Sequence, residues 1–257
     1  MPVYLIIHLS TSPTVLSHKP IEFYVALHKL ASIPFSLTIG LVLPTILMVL
    51  PAPSVLTFDR KQIFIAMWQF FPIWVELMQQ ITSLVMSSLG VTACKPSPVK
   101  KGQNAQWIST MRVVYIFLLS TAGITHISTM TLIATSKFFP GLFASDFVGI
   151  FNPCNVFLPQ SITASTKMPS LGDGAFLLLR YDFIVGSTAL SIWASALYIN
   201  TYRIRERSDG WMVLFFYFLA QVALLGPVGH AVACIWARDE LVFEEKAENA
   251  ENAEKAR

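Results

Sequence analysis

Charged side chains are scarce in this chain: Asp, Glu, Lys and Arg make up only 13% of its 257 residues, against roughly a quarter in an ordinary globular domain. With 54% hydrophobic residues and a mean hydropathy of +0.59, a water-soluble fold could not hide its apolar surface. The formal charge is only +3, and the basic residues lie in short clusters between apolar stretches. The electrostatic footprint of a nucleic-acid-binding protein is therefore missing, and nucleic acid is excluded as a partner. Cysteine is scarce too. Cys94, Cys154 and Cys234 are odd in number and form no C-x-x-C pair, which argues against a disulfide framework or a zinc site and reads as buried thiols. No glycine-rich nucleotide loop is present, and no second ligand stands at H-x-x-x-H or E-x-x-H spacing beside His126 or His230. The apolar Val3 to Leu9 stretch is short, lacks a basic leader and precedes no small-residue cleavage site, so the first long helix is expected to act as the insertion signal.

What the chain has in abundance is long apolar runs. A bilayer core of roughly 30 Å requires about 20 apolar residues in a helix. Five stretches meet that need, at about 32 to 50, 62 to 86, 110 to 134, 175 to 199 and 211 to 236. The expected fold is all-α, a multi-pass transmembrane bundle of about five spans. A polar or interfacial segment over 1–31 precedes the membrane domain over 32–236, and a charged, unpacked tail over 237–257 follows it. Pro51-Ala52-Pro53, Lys95-Pro96-Ser97-Pro98 and Arg203-Ile204-Arg205-Glu206-Arg207 mark the connections. The further apolar stretch Phe138 to Leu158 carries Pro140, Asp146, Asn152, Pro153 and Asn155, which makes an unbroken lipid-facing helix costly, so it reads as a re-entrant or interfacial segment. With five spans, Lys19, Lys29, Lys95, Lys100, Lys101, Arg203, Arg205 and Arg207 share one side, which places the N-terminus in the cytoplasm.

Ionisable groups inside such helices are costly and are functional candidates by default. Glu76 lies near the middle of the second stretch, and helical spacing puts Gln69, Glu76 and Gln80 on one face, expected to point into the bundle. Desolvation there favours the protonated acid, the state that a proton donor needs. Asp182 stands two turns into the fourth stretch, with Arg180 two positions away on a different face, so the two are not a natural pair and Arg180 reads as an orienting or anion-contacting group. His126 and His230 could relay a proton or be hydrogen-bonded structural histidines. Arg112 reads as a snorkelling residue, and Asp239 and Glu240 as a solvated edge. Trp68, Phe71, Trp74, Tyr181, Phe183, Trp193 and Tyr217 are electron-rich rings that, lining a cavity beside an acid, could stabilise a carbocation. Trp68, Trp74, Tyr181, Arg180 and His126 are the expected substrate contacts, with Glu76 and Asp182 as the catalytic carboxyls.

The segments Gly40-Leu41-Val42-Leu43-Pro44-Thr45-Ile46-Leu47-Met48, Trp68 to Trp74 with its Phe-Phe-Pro core, Arg180-Tyr181-Asp182-Phe183, and Gly226-Pro227 through Trp236-Ala237-Arg238-Asp239-Glu240-Leu241-Val242 resemble fungal membrane-bound terpene cyclases of the ascofuranone and macrophorin type. The resemblance runs from about residue 30 to 243. It implies an enzyme of the endoplasmic reticulum that folds the prenyl chain of a lipophilic meroterpenoid and closes its rings after protonating a terminal olefin or epoxide. It implies no metal or redox cofactor. The chain has neither a D-D-x-x-D run for magnesium diphosphate nor the D-x-D-D acid motif of soluble cyclases, in keeping with protonation by an isolated carboxylic acid.

Two other functions fit the same polar residues. A small-molecule or proton-coupled transporter subunit could use Glu76, Asp182, Arg180 and His126 as an ion path, although the two halves show no related pattern. A non-catalytic scaffold for a biosynthetic pathway is the third reading.

Overall fold

The computed structural model describes residues 25–91, 101–158, 171–204 and 210–255. All regular secondary structure among them is helical. The elements are α1 (Leu27–Leu37), a π-helical turn (Thr38–Val42), α2 (Leu43–Val49), α3 (Phe58–Gln69), α4 (Phe71–Ser88), α5 (Lys101–Phe138), a 3-10 turn (Pro140–Leu142), α6 (Ser145–Ile150), α7 (Pro153–Phe157), α8 (Leu171–Ile204) and α9 (Trp211–Lys255). Among the described residues, four stretches are long and apolar enough to cross a membrane: Leu27–Val49, Ala105–Phe138, Gly174–Arg203 and Trp211–Phe243. The all-α, membrane-spanning class is as expected. Two of the five expected spans have a different form, and the reason in each case is a proline.

The chain divides into two compact units, with Glu22–Leu118 in one and Leu119–Arg257 in the other. In the first, the stretch 62–86 is not one helix. Phe70, at φ −94° and ψ 18°, separates α3 from α4, and Pro72 in the first turn of α4 has no N–H to continue the ladder. The interrupted helix nevertheless returns along α1 and α2. Trp68 Nε1 donates to Thr45 Oγ1 at 3.0 Å, Gly40 lies against Val75, and the Gln79 amide donates to Lys29 O at 2.7 Å and Ser32 Oγ at 2.8 Å. Numbers fall on one side as they rise on the other, so the two helices are antiparallel. Ser32, Ser36 and Gly40 recur every fourth residue and are buried, which lets the backbones approach closely, as small residues do between membrane helices. A Cβ on Gly40 would lie 2.7 Å from both Val75 Cα and Val75 N. Ser36 Oγ also donates to Gln79 Oε1, completing a polar clamp.

In the second unit, α9 is continuous only in name. Gly226 takes φ 74° and ψ 171°, a left-handed backbone that favours glycine, and Pro227 follows with its N–H missing. The chain reverses there. Gln221 Oε1 lies 2.8 Å from His230 Nδ1, and the Phe218 ring centroid is 5.1 Å from that of His230. Nine residues of unbroken helix would hold two such groups about 13 Å apart. The arms 211–225 and 227–255 therefore form a helical hairpin, and the expected fifth span is two helices side by side. Both arms pack on α8. Ala194, Ala231 and Cys234 make one core with Leu190, Trp193, Tyr198, Phe218 and Ile235, while Tyr202, Leu214 and Leu241 make another.

Between α5 and α8, Phe138 to Leu158 is broken into the 3-10 turn and the short α6 and α7, with Asn152 capping α7 through Cys154 N–H at 3.0 Å. This agrees with the sequence expectation that no unbroken helix forms. Over 237–255, within the stretch expected as an unpacked tail, the backbone is helical, since Ala, Glu and Lys are strong helix formers. Cys234 is a buried thiol as expected, whereas Cys154 is exposed because α7 is too short to bury a face. The expectations for residues 1–24, Cys94, the 95–98 connection and Arg205 to Arg207 lie outside the described residues.

Candidate active site

In the first unit the interface between α4 and α1 is filled by Val75, Gln79 and Ser83, spaced four apart, so the face carrying Glu76 and Gln80 is turned outward. Glu76 is exposed rather than packed in the bundle, and its Oε1 accepts from Gln80 Nε2 at 2.7 Å. The expected alignment with Gln69 fails because Gln69 belongs to α3, beyond the break at Phe70. The two tryptophans gather at that break. Trp68 is half-buried, holds Thr45 through its indole N–H and lies 5.7 Å from the Phe71 ring. Trp74 donates across the break from Nε1 to Met67 O at 2.9 Å. Both indole N–H groups are engaged, leaving the ring faces as the surface offered to a hydrocarbon or a cation.

In the second unit α8 carries Arg180, Tyr181 and Asp182. The Arg180 guanidinium sits 4.5 Å from the centroid of the Phe176 ring, and NH1 donates to Leu158 O at 3.3 Å. Its Nε is buried without a hydrogen-bond partner. Asp182, two positions on, is exposed, and among the described residues it has neither a hydrogen bond nor an ion pair. Arg180 and Asp182 are thus unpaired with each other, as their spacing on a helix requires. Tyr181 is half-buried between them.

The histidines divide into two kinds. His230 is 2% exposed and fully engaged, with Nδ1 2.8 Å from Gln221 Oε1 on the other arm of α9 and Nε2 2.9 Å from Ser195 Oγ on α8. It fastens the hairpin to itself and to α8. Ser191 Oγ adds a bond to Pro227 O at 2.7 Å. His126, on α5, is half-exposed and lies at the reversal, with Nε2 3.2 Å from Ala223 O. Sequence reasoning weighed both histidines but could not find their partners, which come from a chain reversal. The Gly226-Pro227 pair was the available signal, since glycine just past a helix and proline opening the next is a stop-start pattern. Among the described residues no three His, Cys, Asp or Glu side chains converge as a metal-binding group.

Similar proteins share this chain along most of its length. It is 28% identical to the terpene cyclase ascI of Acremonium egyptiacum over 260 aligned residues, covering 100% of this chain and 62% of that protein. It is 27% identical to the terpene cyclase penA of Penicillium crustosum, over 79% of this chain and 52% of the relative. Against the terpene cyclase sdgD of Emericella nidulans the identity is 26%, over 94% of this chain and 58% of the relative. The chain thus spans about half to three fifths of the length of these relatives. No solved structure matches it. The CtvD domain matches residues 1–243, taking in both units and every candidate residue above, and the chain belongs to the CtvD-domain family.

Proposed function

We propose that this chain is a terpene cyclase of the membrane, which closes the rings of a lipophilic prenylated substrate by protonating its terminal olefin or epoxide. Membership of the CtvD-domain family, with relatives named terpene cyclases, is the observation that carries this reading. The site residues suit it. Asp182 or Glu76 is the proton donor: both are carboxyls on apolar helices, and neither is held in an ion pair among the described residues. Protonating the substrate converts a π bond or an epoxide oxygen into an electrophile, and successive double bonds of the prenyl chain then attack in turn. The ring face of Tyr181 where Asp182 is the acid, or those of Trp68 and Trp74 where Glu76 is, stabilise the travelling positive charge by about 0.5 to 2 kcal/mol each. Arg180, stacked on Phe176, orients the polar head of the substrate. The substrate enters from the lipid, and the enzyme resides in the endoplasmic reticulum membrane. Neither metal nor nucleotide takes part.

The test is expression in microsomes with farnesylated or geranylgeranylated phenols and their epoxides, followed by product analysis. Cyclised product is expected, with turnover unaffected by chelator. Asp182→Asn and Glu76→Gln keep volume and hydrogen bonding while removing the transferable proton. A fall of about 10² to 10⁴ in one of them, with accumulation unchanged, identifies the acid. Undiminished cyclisation by both variants would refute the assignment, and a strict need for magnesium would refute the mechanism.

A further inference from the structure

A cyclisation begun by adding a proton ends by losing one, and the initiating acid cannot serve both ends unless the chain folds back on it. The group that receives the last proton must be a base with a free lone pair, held in place, and able to become positive without losing its contacts. The apex of the α9 hairpin supplies one.

Ala223 lies in the last turn of the arm 211–225, where carbonyls have no helical N–H to accept from. The residue four positions on is Pro227, which has none to give. His126 Nε2 fills that vacancy at 3.2 Å from Ala223 O. A carbonyl can only accept, so the imidazole proton is fixed on Nε2, and Nδ1 of the neutral ring is the lone-pair nitrogen. Nδ1 has no hydrogen-bond partner among the described residues, and unlike His28 Nδ1 it is not sealed from its surroundings. It faces Gly226, where a Cβ would lie only 2.8 Å away, so the side-chain-free residue at the reversal leaves that nitrogen open. A proton arriving on Nδ1 leaves the bond to Ala223 O in place and makes it charge-assisted.

We propose that His126 is the proton acceptor that ends the cyclisation, an assignment that rests on the cyclase reading above. Nδ1 takes the proton from the carbon next to the final carbocation, the C–H bonding pair becomes the new C=C bond, and the ring becomes imidazolium until it passes the proton to water. His126, Asp182 and the hairpin belong to one compact unit. Ser191, which binds Pro227 O at the apex, is nine residues, or about 13 Å of helix axis, along α8 from Asp182. With Asp182 as the acid, start and finish of the reaction have separate groups along one bundle.

The test is His126→Gln, whose amide N–H can still reach Ala223 O but which has no basic nitrogen, beside His126→Ala, which loses both. The expected result is a His126→Gln protein that accumulates normally. Its yield of the wild-type olefin falls on the order of 10²-fold or more, and isomeric olefins or water-captured alcohols take its place. The wild-type product at the wild-type rate from His126→Gln, with only His126→Ala impaired, would make His126 a brace and overturn the proposal. Should His126→Gln fail to accumulate, diethyl pyrocarbonate modification of the wild-type protein decides. Modification of His126 but not of the enclosed His230, with protection by a farnesylated phenol epoxide, supports the base. An unreactive or unprotected His126 overturns it. Absence of any cyclised product from the wild-type protein would instead refute the cyclase reading itself.

Discussion

Each unit contains an apolar stretch interrupted at a proline, and the two interruptions have opposite outcomes. At Pro72 the chain makes a jog and keeps its heading, so that Trp68, Val75 and Gln79 all follow the line of α2 and α1. At Pro227 it turns back on itself. Proline removes one N–H in both places. The difference lies in the residue before the break: Phe70 stays at a negative φ of −94°, open to any side chain, whereas Gly226 takes φ 74°. The carbonyls at the two breaks are also answered differently. Met67 O receives an indole N–H from seven residues away, while Ala223 O receives an imidazole N–H from another helix. An indole can only donate, whereas an imidazole that donates from one nitrogen keeps a base on the other.

The comparison can be broken outright by topology. Because α3 and α4 return along α1 and α2, a glycosylation acceptor placed at Arg60 or Lys61 is expected to be modified in microsomes and one at Lys100 not. Modification at both would mean that the jogged helix does not return across the bilayer. Glycine substitutions grade the next effects, read as thermal unfolding in detergent. Gly40→Ala sets a methyl against the backbone of Val75, which cannot step aside, and should cost about 3 kcal/mol. Gly226→Ala meets a movable ring and adds left-handed strain, for about 2 kcal/mol. Gly90→Ala has φ 85° but open space around it, and only about 1 kcal/mol of strain is expected. Equal losses at Gly40 and Gly90 would show that α1 and α4 are not in close contact. Smallest is Trp74→Phe, which leaves Met67 O without its indole donor and should cost about 0.5 to 1 kcal/mol. A loss above 2 kcal/mol would mark that bond as the main support of the jog.

Hydropathy made the helical class and most of the boundaries legible, since a run such as 110 to 134 can be little else in a chain this poor in charge. It could not show that 211 to 236 folds back. An averaging window registers Gly226-Pro227 as two mild residues, although together they stop one helix and start another. The rule that ionisable groups of membrane helices face inward put Glu76 inside the bundle. Gln79 was the inward residue, and the clue was the stripe Ser32, Ser36 and Gly40, which marks the close helix face and hence the face opposite it. The spacing of Arg180 and Asp182 did foretell that they do not pair, because that follows from helical geometry alone. His126 was legible as a polar group in an apolar helix, but its partner lies 97 positions away and depends on a reversal that no local pattern measures.

The π-helical turn at Thr38–Val42 bears on how this fold tolerates changes in chain length. Leu43 N–H reaches back five residues to Thr38 O instead of four, so the first span carries one residue more than an α-helix over the same rise. Deleting a single residue there would be absorbed by closing the turn to an ordinary one. The parts before and after it would keep their rise and their facing, because the surplus residue is held in the widened turn. Thr45 would still meet Trp68, and Gln79 would keep its hold on Lys29 and Ser32. This place is thus a slack link, able to give up one residue without turning either half of the helix.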